Sequence, residues 1–285
     1  MHSRQETSNG HRREFQLGDE EFRFLSSFMS RETGIVLSEH KREMVCSRLV
    51  KRLRALGLRD FGQYCDMLRG PKGLGEVENL VNAITTNITH FFREPHHFDH
   101  LREHVLLPRL TQRPRNPRVR LWSAGCSSGE EPYSMAMTMA DALKGGDGWD
   151  ALVLGTDIDT NVLRRAAAGL YPVAAAEQIP PSYRKRFLRR THDPDTVQIA
   201  EDVRRLVRFR HLNLHDPWPM QGGFDAIFCR NVAIYFDKAT QRRLFGRYAD
   251  ALVMGGILYL GHAESLIGIS DRFEVVDKTA YRRIA

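Results

Sequence analysis

From residue 119 onward, short strand-like runs alternate with helical patterns, and this alternation restricts the fold more than any other feature. The runs lie at 119–124, 151–156, 206–212, 224–229 and 256–261, followed by a last pair at 273–277 and 279–284. Such alternation is the signature of an α/β domain, a mostly parallel sheet covered by helices. The last pair is read as antiparallel. A chain of 285 residues can hold that domain and a smaller companion. Its 42% hydrophobic and 27% charged residues, with 12 prolines, are the balance of a folded globular protein.

The preceding sequence has a different period. Residues 1–17 lack apolar periodicity and are read as a flexible arm. Phe22, Leu25, Phe28 and Met29 then recur at helical spacing. Further helices are predicted at 38–56, with Met44, Val45, Leu49 and Leu53 on one face, at 61–68 and at 77–86. Breaks fall at Gly34, Gly57 and Gly70-Pro71. The expected organisation is an all-helical domain at 18–90, a linker at 91–118 containing Pro114 and Pro117, and the sheet domain at 119–285. Within the last, about 172–206 is longer than the usual connection of about 2–6 residues. With Pro172, Pro180, Pro181 and a strand-like run at 196–200, it is read as an inserted small β subdomain.

No apolar run is long enough to cross a bilayer, and the polar start is unlike a signal peptide. Cys46, Cys65, Cys126 and Cys229 form no C-x-x-C pair, which suits a reducing cytoplasm. His96, His97, His100 and His104 have no aligned acids or cysteines, so no metal is expected. A net charge of +7 favours an acidic partner. Lys41, Arg42, Arg48, Lys51, Arg52, Arg54 and Arg59 crowd one predicted helix, making it a candidate docking surface, although such a face can also be simply solvated.

The first strand runs into Ala124-Gly125-Cys126-Ser127-Ser128-Gly129-Glu130-Glu131-Pro132-Tyr133, a turn of small residues opening an apolar helix. Ligands of open α/β sheets sit beyond the carboxyl ends of strands, where small residues admit close approach. The turn lacks both the G-x-G-x-x-G spacing and a P-loop lysine, which argues against pyrophosphate or triphosphate. Glu130 and Glu131 would instead favour a cationic group, and would also serve the helix macrodipole. Asp157, ending the second strand, is placed to accept both ribose hydroxyls of an adenosine, with Asp159 capping the next helix. After the third strand, Asn213 could reach an adenine edge and Leu214 its face. The fourth strand ends in Arg230 and Asn231, with Tyr235 one turn further on.

Taken together, Thr85-Thr86-Asn87-Ile88-Thr89-His90-Phe91-Phe92-Arg93-Glu94, Gly129-Glu130-Glu131-Pro132-Tyr133-Ser134, Thr156-Asp157-Ile158-Asp159 and the fourth-strand segment 224–236 resemble the CheR family of chemotaxis receptor methyltransferases. The resemblance runs from about Leu17 to the end. It implies a Rossmann-like class I methyltransferase sheet and S-adenosylmethionine as cofactor, with S-adenosylhomocysteine as product. It further implies that Asn87, Thr89, Arg93, Glu131, Asp157, Asn213, Leu214, Arg230 and Asn231 line that site. Alone, Asn87 and Thr89 would read as turn and capping residues. The implied domains close over the cofactor, and the implied substrate is a set of glutamates on the helical cytoplasmic bundle of chemoreceptors, an acidic rod suited to the basic helix. Some members are tethered by a receptor tail peptide at a glycine-containing loop of the inserted subdomain. Here Leu188-Arg189-Arg190-Thr191-His192-Asp193-Pro194-Asp195-Thr196 has no glycine, so no dependence on a tether is expected.

An ionised glutamate needs no general base, so positioning should dominate, with Arg93 and Tyr235 as the catalytic candidates that hold the acceptor carboxylate. Two rivals remain in the sequence. A nucleic-acid methyltransferase would suit the charge, but Arg230-Asn231-Val232-Ala233 stands where amino-directed enzymes carry an Asn/Asp-Pro-Pro-aromatic motif. A non-catalytic cofactor-sensing adaptor would have no use for the residues at the mouth. No nucleic-acid partner and no membrane insertion are expected.

Overall fold

A computed structural model describes residues 15–112, 117–143 and 148–285. Of the arm read at 1–17, residues 1–14 lie outside the described residues, as do 113–116 of the linker; Phe15 and Leu17 are buried. The chain divides into two compact units, one ending at Ile84 and one comprising Glu32–Ile35 and Thr85–Ala285.

The first unit is helical: α1 (Asp19–Thr33, which runs two residues beyond it), α2 (Arg42–Leu56), α3 (Phe61–Arg69) and α4 (Val77–Ile84). α2 buries Val45, Cys46, Leu49 and Leu53, the i, i+4 stripe that its sequence spells. It stops at Gly57, whose φ of 67° is the left-handed cap that a Cβ would strain. α3 starts at Asp60, whose side chain accepts a hydrogen bond from the Gln63 N–H. Two boundaries differ from expectation. Residues 39–41 form a 3-10 turn before α2. α4 ends at Ile84 rather than 86, and Thr85 turns its hydroxyl to the Asp159 carboxylate instead.

The second unit continues with α5 (His96–His100), a π-helical turn (Leu101–Leu106) and α6 (Leu107–Gln112), so much of the stretch read as a linker is helical and packs into a core through Leu101 and Leu106. Strands and helices then alternate: β1 (Arg118–Ala124), α7 (Glu130–Leu143), β2 (Asp150–Asp157), α8 (Thr160–Ala168), β3 (Leu170–Pro172), α9 (Val173–Ala176), α10 (Pro181–Phe187), β4 (Leu188–Arg190), β5 (Thr196–Ile199), α11 (Glu201–Arg204), β6 (Val207–His211), β7 (Phe224–Cys229), α12 (Lys238–Ala251), β8 (Leu252–Leu260), β9 (Phe273–Asp277) and β10 (Ala280–Arg283). The large sheet has the order β6-β2-β1-β7-β8-β10-β9. β6, β2, β1, β7 and β8 are parallel, whereas β10 runs antiparallel to both β8 and β9. β3, β5 and β4 form the separate antiparallel sheet of the insertion.

The centre of the large sheet is buried on both faces, and side chains alternate between two cores with period two. Ala226, Phe228, Ile257 and Tyr259 enter one core, and Ile227, Cys229, Leu258 and Leu260 the other. β8 begins four residues before the run predicted at 256–261, because Leu252 pairs with Phe224 across an irregularity that Gly255, at φ 77°, accommodates. No helix among the described residues is long and apolar enough to cross a membrane.

Candidate active site

The order in the sheet reverses at β1, with β2 and β6 on one side and β7 and β8 on the other. Beyond the carboxyl ends at such a reversal lies the usual ligand crevice. The loop after β1 is pinned there, since the N–H groups of Gly125 and Cys126 both donate to the Thr156 carbonyl at 2.8 Å. Ser127 adopts φ 49° and donates its N–H to Asp157 Oδ2 at 2.8 Å, while Asp157 Oδ1 accepts the Asp159 N–H at 2.9 Å. Burial pushes the Asp157 carboxyl up to about 6, partly opposed by these bonds.

Asp159 caps α8 as expected, accepting from the Asn161 and Val162 N–H groups. Its other oxygen accepts from Asn87 Nδ2 at 2.7 Å and Thr85 Oγ1 at 3.1 Å, and Ser127 Oγ donates to the Asn87 carbonyl. Asn87 is thereby held beside the Asp157 loop, and Thr89 lies half-buried two residues on. The chain next turns sharply, with Phe92 at φ 51° and Glu94 at φ 57° around Arg93. Two non-glycine residues in the left-handed region within three positions mark a backbone that its surroundings enforce. The Phe92 N–H donates to Ser134 Oγ, and the Arg93 guanidinium to the Ile88 carbonyl at 3.2 Å.

Arg230 links this turn to α7. Its side chain is 3% exposed; Nε donates to Glu131 Oε2 at 2.6 Å and Nη1 to the Arg93 carbonyl at 2.5 Å. Ser123 Oγ donates to the other Glu131 oxygen at 2.7 Å, and Glu94 lies 3.7 Å from the guanidinium. The cation meeting Glu131 at the start of α7 is thus Arg230. Glu130, its carboxyl raised by burial, accepts from Ser128 instead.

His97 completes the setting of Arg230. Its Nδ1 accepts from the guanidinium at 3.2 Å, and Nε2–H donates to Thr279 Oγ1 at 2.9 Å. Burial, and then the Arg230 charge, push the His97 imidazole down to about 3, so it is neutral at physiological pH. Glu94, His96 and His97 come close enough to share an ion. Arg230 already supplies positive charge there and takes the His97 lone pair, so this donor set does not suit a metal.

Two of the strand-end candidates are engaged elsewhere in the protein. Asn213 Nδ2 donates to the Glu32 carbonyl at 2.8 Å while Oδ1 accepts the His215 N–H, and Leu214 is buried in the second core. Asn231 adopts φ 60°, and its buried Oδ1 has no hydrogen-bond partner among the described residues. Tyr235 ends the 3-10 turn Ala233–Tyr235, four residues on. Sequence reasoning passed over Glu264, whose buried carboxylate binds this same turn, although an acid just past β8 obeys the rule that selected Asp157.

In the first unit, the basic residues around α2 divide. Arg42 pairs with Asp19 and Glu39, Arg48 donates to the Ile84 carbonyl, and Arg52 forks onto buried Glu76 at 2.6 and 2.7 Å. These guanidiniums hold the unit together. Arg54 lies over the Phe15 ring, Lys41 is half-buried, and Lys51 and Arg59 are exposed.

Residues 87–282 match the family described as "CheR methyltransferase, SAM binding domain", and residues 20–85 match "CheR methyltransferase, all-alpha domain". The chain is 43% identical over 255 residues to a "Probable chemotaxis protein methyltransferase" of Rhizobium etli, covering 88% of this chain and 95% of that protein. It is 42% identical over 269 residues to the "Chemotaxis protein methyltransferase" of Salmonella typhimurium, covering 93% and 90%. Over 272 residues it is 43% identical to "Chemotaxis protein methyltransferase 2" of Pseudomonas aeruginosa, covering 94% of each.

Proposed function

The chain belongs to the CheR family of methyltransferases, and from that premise we propose that it esterifies glutamate side chains on the cytoplasmic helical bundle of chemotaxis receptors. The cofactor is S-adenosylmethionine. The observation that carries the reading is the meeting, beyond β1, β2 and β7, of Asp157, Glu131 and Arg230 with the Asn87 to Arg93 segment. The residues present fit this cofactor. Asp157 keeps lone pairs for two ribose hydroxyls after accepting two N–H groups, and the unpartnered Asn231 Oδ1 awaits a donor. When bound, S-adenosylmethionine supplies a methyl group on a sulfonium whose leaving group is neutral.

What remains for the protein is alignment of the acceptor. Arg93, anchored only lightly to the Ile88 carbonyl, orients the acceptor carboxylate while one of its oxygens stays free to attack. Tyr235 fixes the same group from the turn after β7. The acceptor is ionised at neutral pH, with a reference pKa near 4.3, so no base is needed. Lys51 and Arg59 face the acidic receptor rod, and the β4 to β5 turn, which lacks glycine, leaves catalysis independent of a tail peptide. The test is transfer of labelled methyl to receptor membranes, with the label released by mild base and receptors with and without their C-terminal tails labelled alike.

A pH dependence follows from Asp157. With its carboxyl near 6, above the ordinary 3.8, the group is ionised above pH 6 and accepts both ribose hydroxyls. Below that it gains a proton and loses acceptor capacity. Cofactor affinity, measured calorimetrically, is expected to fall roughly tenfold per pH unit below about 6. Asp157→Asn is expected to bind weakly at every pH; a flat profile in the parent protein contradicts the assignment.

A further inference from the structure

Past the end of β8, the chain folds back on itself through a hydrogen bond from the Glu264 N–H to the Gly261 carbonyl. This turn carries the Glu264 carboxylate beneath the end of β7, where the residue is 6% exposed. Four main-chain N–H groups from two loops converge on it. Oε2 accepts from Asn231 at 2.8 Å and Gly261 at 2.7 Å; Oε1 accepts from Val232 at 2.9 Å and Ile234 at 3.3 Å. Its charge is therefore answered by backbone dipoles, an anion nest occupied from within the chain.

Three of the four donors belong to the turn that carries Asn231 and leads to Tyr235. Asn231 holds a left-handed conformation there, which costs energy for any residue with a Cβ and persists only where surrounding contacts fix it. The packing is equally close: a Cβ on Gly261 would fall 2.7 Å from Asn231 Nδ2 and 3.0 Å from its backbone nitrogen. The Asn231 side chain thus presents its buried, unpartnered Oδ1 from a backbone anchored by Glu264.

We propose that Glu264 is a positioning residue for cofactor binding, acting through the Asn231 turn. The inference rests on the assignment of Asn231 to the cofactor and not on the nature of the methyl acceptor. Glu264→Gln keeps the shape but replaces one acceptor oxygen with an NH2 that faces two N–H groups, so the turn must move. Placement is sensitive at this scale, because a shift of about 1 Å in a positioned group has large effects.

The test is a double-mutant cycle in which S-adenosylhomocysteine binding is measured by calorimetry for Glu264→Gln, Asn231→Ala and the double variant, with melting as a check on the fold. Glu264→Gln is expected to weaken binding about tenfold, and to add less than about twofold when Asn231 is already alanine. Parental affinity in Glu264→Gln overturns the inference, as do losses that multiply in the double variant. Parental affinity in Asn231→Ala removes the Asn231 assignment itself and the inference with it. If Glu264→Gln does not fold, Glu264→Asp, which keeps the charge at shorter reach, takes its place in the same cycle with the same deciding results.

Discussion

Arg230→Ala is expected to lower stability by about 3–5 kcal/mol, the usual cost of removing one partner from a buried ion pair. The guanidinium is 3% exposed and bonds Glu131, whose side chain is 9% exposed, while Glu94 beside it is 6% exposed. Without Arg230, two carboxylates remain in a poorly solvated site without the guanidinium between them, and the Arg93 carbonyl and His97 Nδ1 lose their donor. Thermal melting should fall by about 10 °C, and cofactor binding should be lost. Replacing the pair together, as Arg230→Met with Glu131→Gln, removes one of these two charges and leaves Glu94. That variant should regain part of the stability but not the cofactor. A melting temperature within about 2 °C of the parent for Arg230→Ala would contradict this account of the pair.

The second large effect is kinetic. Arg93 donates to one exposed-side carbonyl and is half-buried, so Arg93→Ala should leave the fold intact. If Arg93 orients the acceptor, its loss should lower kcat by about 10²–10³-fold, the scale attached to a lost orienting or charge-stabilising donor. Tyr235→Phe, which deletes a single hydroxyl, should lower kcat by roughly tenfold. Cofactor titration of the same variants separates acceptor placement from donor binding. Both variants methylating receptor at the parental rate, with cofactor binding intact, would remove these two assignments.

These two expectations differ in how far they could be read from the sequence. The sheet was legible because parallel strands buried on both faces appear as apolar runs, and Ala226 to Cys229 alternate between two cores as period two requires. The start of β8 was not, since Leu252 and Val253 continue an apolar helical pattern and only the irregularity opposite Phe224 shows them to be strand. Near the candidate site, the strand-end position of Asp157 and the helix cap at Asp159 were legible from the strand pattern and capping chemistry. The acid pair opening α7 pointed to a cation, but the guanidinium that meets Glu131 comes from a residue 99 positions away. Likewise the Asn213 amide reaches the Glu32 carbonyl across 181 positions. Burial and long-range pairing decide such roles, and neither has a local pattern.

The basic helix shows the same limit from another direction. Seven cations near α2 look alike in sequence, yet Arg52 forks onto Glu76, a carboxylate that also accepts from Tyr64 and Asn79. Burial raises the Tyr64 phenol far above its ordinary value, so it stays a neutral donor to that carboxylate. Arg52 therefore belongs to the packing of the helical unit, and exposed Lys51 and Arg59 are the better choices for contact with an acidic rod.

The most direct measurement is the chemical stability of the transferred methyl group. The protein is incubated with methyl-labelled S-adenosylmethionine and receptor-containing membranes, and the labelled receptor is exposed to mild base. Carboxyl methyl esters hydrolyse and release volatile methanol, whereas N-methyl groups stay attached. Release of the label as methanol is the expected result; base-stable label on the receptor, or label found on added RNA or DNA instead, would contradict esterification of receptor glutamates.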